Sequence, residues 1–405
     1  MRVRVISLLI FSTLVASPAL AFNTLNGQSP IVIGHRGASG YLPEHTLESY
    51  ALAIQQGAHF IEPDLVLTRD GQLIARHEPI LDGTTDVASK FDASRKSTRN
   101  LDGVSTTAYF ADTFTLAEVK TLRAIQPRAS RNQSFNGLYE IPTLDEVIAL
   151  AQNQSAQIGR PIGIYPELKH STYMKIQAQA NGFSPTYFED ALVSKLHAAY
   201  GNSATAPVFI QSFETANLKY LNGQTNINLV QLVDADDVNA NGLLSLVAPY
   251  AQPYDIVVAG GSTTFADLLT PAGLAEVATY ADGIGPWKPY LVKTVDDGVD
   301  RTGDGILSIN DRRVDGPTGV IAAAHAAGLL VHAYTFRNDA SGYGFADPQA
   351  EMTYYFGLGV DGVFTDFPDT GVAALASAVP EPETYALMLA GLGLVAGFAA
   401  RRRKA

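Results

Sequence analysis

The chain has 405 residues, 40 acidic against 28 basic side chains, a net charge of −12 and no cysteine. That excludes a thiol nucleophile and any disulfide bracing. An acidic chain without a basic stripe argues against nucleic acid as a partner, and an anionic ligand would need a local positive site.

In chain order, Arg2 and Arg4 precede an apolar run over 5–15, and Ala19-Leu20-Ala21 supplies a small-x-small cleavage site. This predicts a secretory signal over 1–21, with Phe22 opening the mature chain, rather than an apolar first helix. Strands are expected at 31–34, 60–67, 73–77, 163–169, 208–213, 228–233, 283–287, 330–336 and 362–365, with a further short strand at 255–259. Helices are expected at 47–56, 144–154, 187–199, 264–280, 318–327 and 351–358. Thr46 and Thr143 stand where helix N-caps belong, the second within a capping box. About eight strand–helix units with near-continuous apolar strands imply a parallel sheet, and this length fits a (β/α)8 TIM barrel over 22–378. The polar stretch 80–142, with one helical piece at 116–122, breaks the rhythm. It is expected as an insertion after the second strand unit, lying over the barrel mouth.

The residues that carry chemistry sit where these strands end. The string H-R-G-A-S-G-Y-L-P-E-H-T at 35–46 follows an apolar strand and places His35 and Arg36 at the edge of a glycine-rich loop. Glu62 and Asp64 are two residues apart, so both carboxylates face one side of a strand. Glu167 and Lys169 repeat the device on another strand. Either pair alone reads equally as a strand-end salt bridge. Two pairs in one barrel favour an acidic cluster with one cation, and buried carboxylates are normally paired or bound to metal. Three carboxylates without Cys suit a hard divalent cation, calcium or magnesium. His77 ends the run 73–77, and His35 and His77 make an acid–base pair, imidazole being the group that titrates near neutrality. Arg36 and Lys169 would hold an anion. Two imidazoles, a cation site and two basic side chains suit phosphodiester hydrolysis.

Here the chain resembles the glycerophosphodiester phosphodiesterases, most of all their larger exported bacterial members. The matching stretches are H-R-G-A-S-G-Y-L-P-E-H-T at 35–46, E-P-D-L-V at 62–66, R-H-E at 76–78 and P-E-L-K at 166–169. Q-S-F at 211–213, A-D-G-I-G-P at 281–286, A-Y-T-F-R at 333–337 and D-G-V-F-T-D-F-P-D at 361–369 follow in the family's order. The resemblance implies hydrolysis of small-molecule glycerophosphodiesters to an alcohol and sn-glycerol 3-phosphate. It implies His35 and His77 as catalytic, Glu62, Asp64 and Glu167 as ligands of a divalent cation, calcium before magnesium, and Arg36 and Lys169 as phosphate contacts. Glu78 stands where the family commonly has Asp, which bears on how His77 is oriented. Two other readings stay open: a larger phospholipid or polymer as substrate, and a non-catalytic surface or matrix protein.

The C-terminus, 379–405, carries Val379-Pro380-Glu381-Pro382, an apolar run of sixteen residues over 385–400 and then Arg401-Arg402-Arg403-Lys404. The run is short of the roughly 20 residues that span a bilayer. The arrangement resembles the PEP-CTERM sorting signal. It implies export to the periplasm, cell surface or exterior, with transient inner-membrane contact and a sorting protease as partner; an ordinary transmembrane anchor is the alternative. Asp300 to Asp311 approaches a calcium-loop spacing, with Thr302 a poor third ligand; a polar turn is the other reading. His45, His59, His170, His197, His325 and His332 carry no comparable warrant and read as structural or solvated. Trp287 and Lys288 end a strand where a substrate wall would be.

Overall fold

A computed structural model describes residues 22–339 and 342–378. Eight strands make its centre: β1 (Ile31–His35), β2 (Phe60–Glu62, resuming as Asp64–Leu67), β3 (Gly163–Ile164, resuming as Glu167–Leu168), β4 (Phe209–Ser212), β5 (Asn228–Val233), β6 (Gly283–Pro286), β7 (Leu330–Phe336) and β8 (Gly362–Thr365). Each pairs in parallel with the next, and β8 pairs with β1. The interruptions in β2 and β3 fall at Pro63 and at Tyr165-Pro166, because proline has no N–H to give the ladder. The hydrogen bonds nevertheless run through the gap, from Tyr165 N–H to Ile61 O (2.9 Å) and from Glu167 N–H to Pro63 O (3.0 Å). The sheet is therefore a closed ring, the expected (β/α)8 TIM barrel.

Closure sorts the side chains by period two. Ile33, Tyr165, Val230 and Phe364 point inward and plug the barrel, with Phe209 stacked on Tyr165 at 4.9 Å. Alternate residues such as Val32 pack outward under the helices. A helix follows every strand, from Leu47–Gln55 after β1 to Pro368–Ala378 after β8. Thr46 caps the first through its Oγ1, and Thr143 makes the capping box of Leu144–Ile158.

Several expectations need correction. The run at 73–77 is a short strand, Leu73–Ala75, antiparallel to the end of β2 and outside the parallel ring. The stretch at 255–259 is not a strand but lies in a helix, Tyr254–Val258. The closed barrel offers its β-branched run no edge, and Asp255 instead accepts N–H bonds from Thr215 and Ala216, capping the helix Thr215–Asn222. The helix expected at 264–280 breaks before Pro271 into Phe265–Leu268 and Pro271–Val277. The insertion holds, besides its short helix Leu116–Val119, an antiparallel hairpin of Ser97–Leu101 and Val104–Ala108. Among the described residues no helix is long and apolar enough to cross a membrane. The expected signal at 1–21 and the tail at 379–405 lie outside the described residues.

Lys288 does not face the mouth. It is buried against Glu351 on the helix Pro348–Leu358, Nζ to Oε1 at 2.5 Å, with Tyr355 donating to its backbone carbonyl. Lys288→Ala should therefore destabilise the fold by about 3–5 kcal/mol, as removal of one partner of a buried pair does. Replacing both partners with apolar residues of similar volume should recover most of the loss, as read by the urea midpoint.

Candidate active site

β1 ends at His35, and the chain turns at once through Arg36 (φ 59°) and Gly37 (φ 90°). A Cβ at Gly37 would meet the backbone carbon of Ser49 at 2.6 Å, so only glycine lets this loop close on the first helix. The turn aims the Arg36 N–H at Glu62 Oε2, 2.8 Å away on the neighbouring strand. Strand register does the rest, setting His35 beside Glu62, Asp64 beside Glu167, and Glu167 beside Gln211. All lie toward the C-terminal ends of strands, the face where barrels place their sites.

Glu62, Asp64 and Glu167 are buried, and one oxygen from each lies within 4.8 Å of the others. Among the described residues no other such group of three or more protein ligands occurs. Gln211 Nε2 donates to Glu62 (3.2 Å), and His45 Nε2–H donates to Asp64 Oδ2 (2.9 Å) while its Nδ1 accepts from Tyr50 OH (2.7 Å). Lys169 Nζ stands 2.8 Å from Glu167 Oε1 and Arg36 Nε 3.3 Å from Asp64 Oδ2, though neither contact is aligned as a hydrogen bond. Asp64 Oδ1 has no donor. Burial, reinforced by Asp64, pushes Glu62 well above the ordinary carboxylate range. Burial also raises Glu167 to about 8 against the pull of Lys169. Asp64 stays well below that range, because the His45 hydrogen bond and the charges of Lys169 and Arg36 outweigh its burial. Converging oxygens with a missing donor fit a hard divalent cation.

Both imidazoles have a carboxylate beside Nδ1. His35 Nδ1 lies 2.6 Å from Asp366 Oδ1, and His77 Nδ1 lies 3.1 Å from Glu78 Oε1. Burial and Arg36 push His35 down to about 4 despite Asp366. Burial, Arg36 and Lys169 likewise lower His77, against Glu78. Without substrate His35 is therefore neutral at pH 7, its Nδ1–H donated to Asp366, while the His77–Glu78 contact is within ion-pair distance but not aligned as a hydrogen bond. His77 Nε2 stands 3.4 Å from Lys169 Nζ. Asp366 also accepts from Arg131 Nη2 (2.5 Å) and Arg337 Nε (2.8 Å).

These groups line one end of a cavity of about 470 Å³. His35, Arg36, Glu62, His77, Glu167 and Lys169 all border it, so the structure brings together every expected site residue except Asp64, which lies just beneath. The lining also includes the aromatic side chains of Phe213, Tyr250, Trp287 and Tyr334, with Lys169 Nζ 5.2 Å from the Phe213 ring centroid. Trp287 thus lies where a substrate wall was expected. The carboxylates of the 300–311 loop do not converge. Asp300 accepts from the N–H groups of Gly303 and Gly305, and Asp311 from those of Arg301, Thr302 and Ser308.

Asp366, Arg131 and His45 had no expected role. Asp366 lies 331 residues from His35, and Arg131 sits in the polar insertion, so only the fold joins them. His45 stands in the 35–46 string, and its burial beside an acidic strand was the missing signal.

Residues 35–370 match the Glycerophosphoryl diester phosphodiesterase family, and residues 378–404 match the PEP-CTERM protein-sorting motif. The chain is 36% identical over 357 residues to a glycerophosphodiester phosphodiesterase of Arabidopsis thaliana, covering 85% of each chain. It is 32% identical to one of Haemophilus influenzae, covering 87% of this chain and 92% of that one. Its fold is similar to an Oleispira antarctica phosphodiesterase solved with its product sn-glycerol-3-phosphate, at a TM-score of 0.51 and 21% identity, over 87% of this chain and 99% of that one.

Glu167, raised to about 8, carries a proton at neutral pH and burial pushes Glu62 in the same direction, so a cation bound there competes with protons. Its affinity should rise as pH increases toward about 8 and fall in acid. Calorimetry at pH 7 in buffers of different ionisation enthalpy should register the released protons.

Proposed function

Because the chain belongs to the glycerophosphoryl diester phosphodiesterase family, we propose that it hydrolyses glycerophosphodiesters to an alcohol and sn-glycerol 3-phosphate in a cation-dependent reaction, with His35 and His77 moving the protons. The observation that carries this reading is the pair of imidazoles, His35 fixed at Nδ1 by Asp366 and His77 with Glu78 beside its Nδ1, bordering one cavity with a three-carboxylate cluster.

Glu62, Asp64 and Glu167 would hold the divalent cation, calcium before magnesium. When bound, it supplies Lewis-acid polarisation of a phosphoryl oxygen and charge neutralisation. The remaining chemistry belongs to side chains. Arg36 is kept charged in spite of burial by Glu44 and Asp64, and Lys169 likewise by Glu167. Both therefore remain cations at the cavity wall and would grip the diester, offsetting the net charge of −12 that repels it. One imidazole takes the proton of the attacking hydroxyl at Nε2, and the other, turned imidazolium by the anionic diester beside it, delivers its Nε2 proton to the departing alkoxide. Asp366 and Glu78 keep each ring in the tautomer the step needs, and Asp366 stabilises the imidazolium that forms. The cavity continues from this machinery along the aromatic side chains, which gives room for a head group larger than glycerol. That continuation favours, as a second reading, a bulkier lipid-derived diester. The sorting motif supports export to the cell envelope, and we place the enzyme outside the inner membrane.

The test is release of glycerol 3-phosphate from glycerophosphocholine and from bulkier diesters, with EDTA and with added calcium or magnesium. EDTA should abolish release and a divalent cation restore it; cation-independent release would remove the cluster from the mechanism. His35→Ala and His77→Ala should each lower kcat by about 10² to 10⁴, the range for a proton-transfer group. Asp366→Asn presents an amide to His35 and should lower kcat within the same range, with KM little changed.

A further inference from the structure

His170 follows β3 directly, in the left-handed region at φ 49°, one residue beyond Lys169. It is mostly buried, and both of its ring nitrogens meet carboxylates. Nε2 lies 2.7 Å from Glu78 Oε2, and Nδ1 lies 2.6 Å from Asp102 Oδ2. Two acceptor-only partners require both nitrogens to carry hydrogen, so the ring is an imidazolium. Burial opposes that charge, but Glu78 and Asp102 hold it up to about 10. The other oxygen of Glu78 is the one that lies 3.1 Å from His77 Nδ1. Asp102 lies at the two-residue turn of the hairpin made by Ser97–Leu101 and Val104–Ala108. A continuous path therefore runs from the insertion through Asp102, His170 and Glu78 to the imidazole at the cavity.

A carboxylate shared by two imidazoles needs one of them fixed if it is to fix the other. Glu78 is half-exposed and on its own would be free to change rotamer toward water. The charged hydrogen bond from His170 is what keeps its Oε1 on His77. The left-handed backbone at His170, uncommon for a residue with a side chain, places the ring there.

We propose that His170 is a positioning residue of the reaction: it locks Glu78 and so orients His77, and through Asp102 it makes that orientation depend on the insertion hairpin. This rests on the role given above to His77. A purely structural tether predicts something else. The hairpin lines the cavity with Leu101, Val104 and Thr106, so loosening it alone would appear in KM or in stability.

The experiment measures kcat, KM and calcium affinity of the full chain on glycerophosphocholine for His170→Phe, Asp102→Asn, Glu78→Gln and His77→Ala. His170→Phe and Asp102→Asn should each lower kcat by about 10- to 100-fold, the range seen when an outer partner of a working imidazole is removed, with KM and calcium affinity unchanged. Neither should lower kcat further in a Glu78→Gln background, since all three changes break one path. Wild-type kcat in folded variants, a change confined to KM, or losses that multiply with that of Glu78→Gln would overturn the proposal. Should His170→Phe fail to fold, Asp102→Asn at the hairpin turn decides the matter. A fully active His77→Ala would overturn the role of His77 and this proposal with it. A slow His77→Ala beside normal His170→Phe and Asp102→Asn would overturn the coupling alone.

Discussion

Three carboxylates buried within 4.8 Å of one another set the terms for the rest of the site. Taking several like charges out of water is costly unless opposite charge goes with them. With Glu44 included, four carboxylates meet three fixed cations, Arg36, Lys169 and Arg76, since His45 is held neutral by burial, down to about 4. The shortfall is met by a proton on Glu167, which burial raises to about 8, or by one divalent ion. The neighbours fit this account. Gln211, His45 and the Arg36 N–H each donate to a carboxylate without adding charge, fixing the oxygens while leaving room for a cation.

The barrel brings the cluster together cheaply. Glu62 and Asp64 keep to one face because Pro63 interrupts the ladder of β2 without breaking its period. Glu167 arrives by register with Asp64. This part of the site was legible in the sequence, because it rests on spacing within strands and on strands that are neighbours in chain order. So were Thr46 and Thr143, whose caps are local.

Contacts that span the chain were not legible. Asp366 reaches His35 only because β8 closes the ring on β1, and the pairing has no local signature. The run Ile256-Val257-Val258 has the composition of a strand, yet a closed ring has no edge to receive it. The strands of the hairpin at 97–108 read Ser-Thr-Arg-Asn-Leu and Val-Ser-Thr-Thr-Ala, mostly polar, so the sequence lacks the apolar–polar alternation by which strands are recognised. Its Asp102-Gly103 turn, with both residues at positive φ, was the one available sign.

The division of labour follows from where each group is anchored. Ring strands carry the three clustered carboxylates, so their geometry depends on sheet register, the stiffest feature of the fold. The two imidazoles are oriented through contacts that involve the insertion: Arg131 on Asp366 for His35, and Asp102 by way of His170 and Glu78 for His77. The insertion is itself fixed to the barrel by Arg99, which pairs with Asp112 inside the insertion and donates to Tyr173 OH and Gln177 Oε1 on the helix after β3, and by the ion pair of Arg131 with Asp339. Such pairs hold firmly only where water is excluded and the local dielectric is low. In the proposed reaction, cation binding and proton transfer would thus rest on different parts of the chain. A change in the insertion can disturb the orientation of the imidazoles while leaving the carboxylate cluster intact.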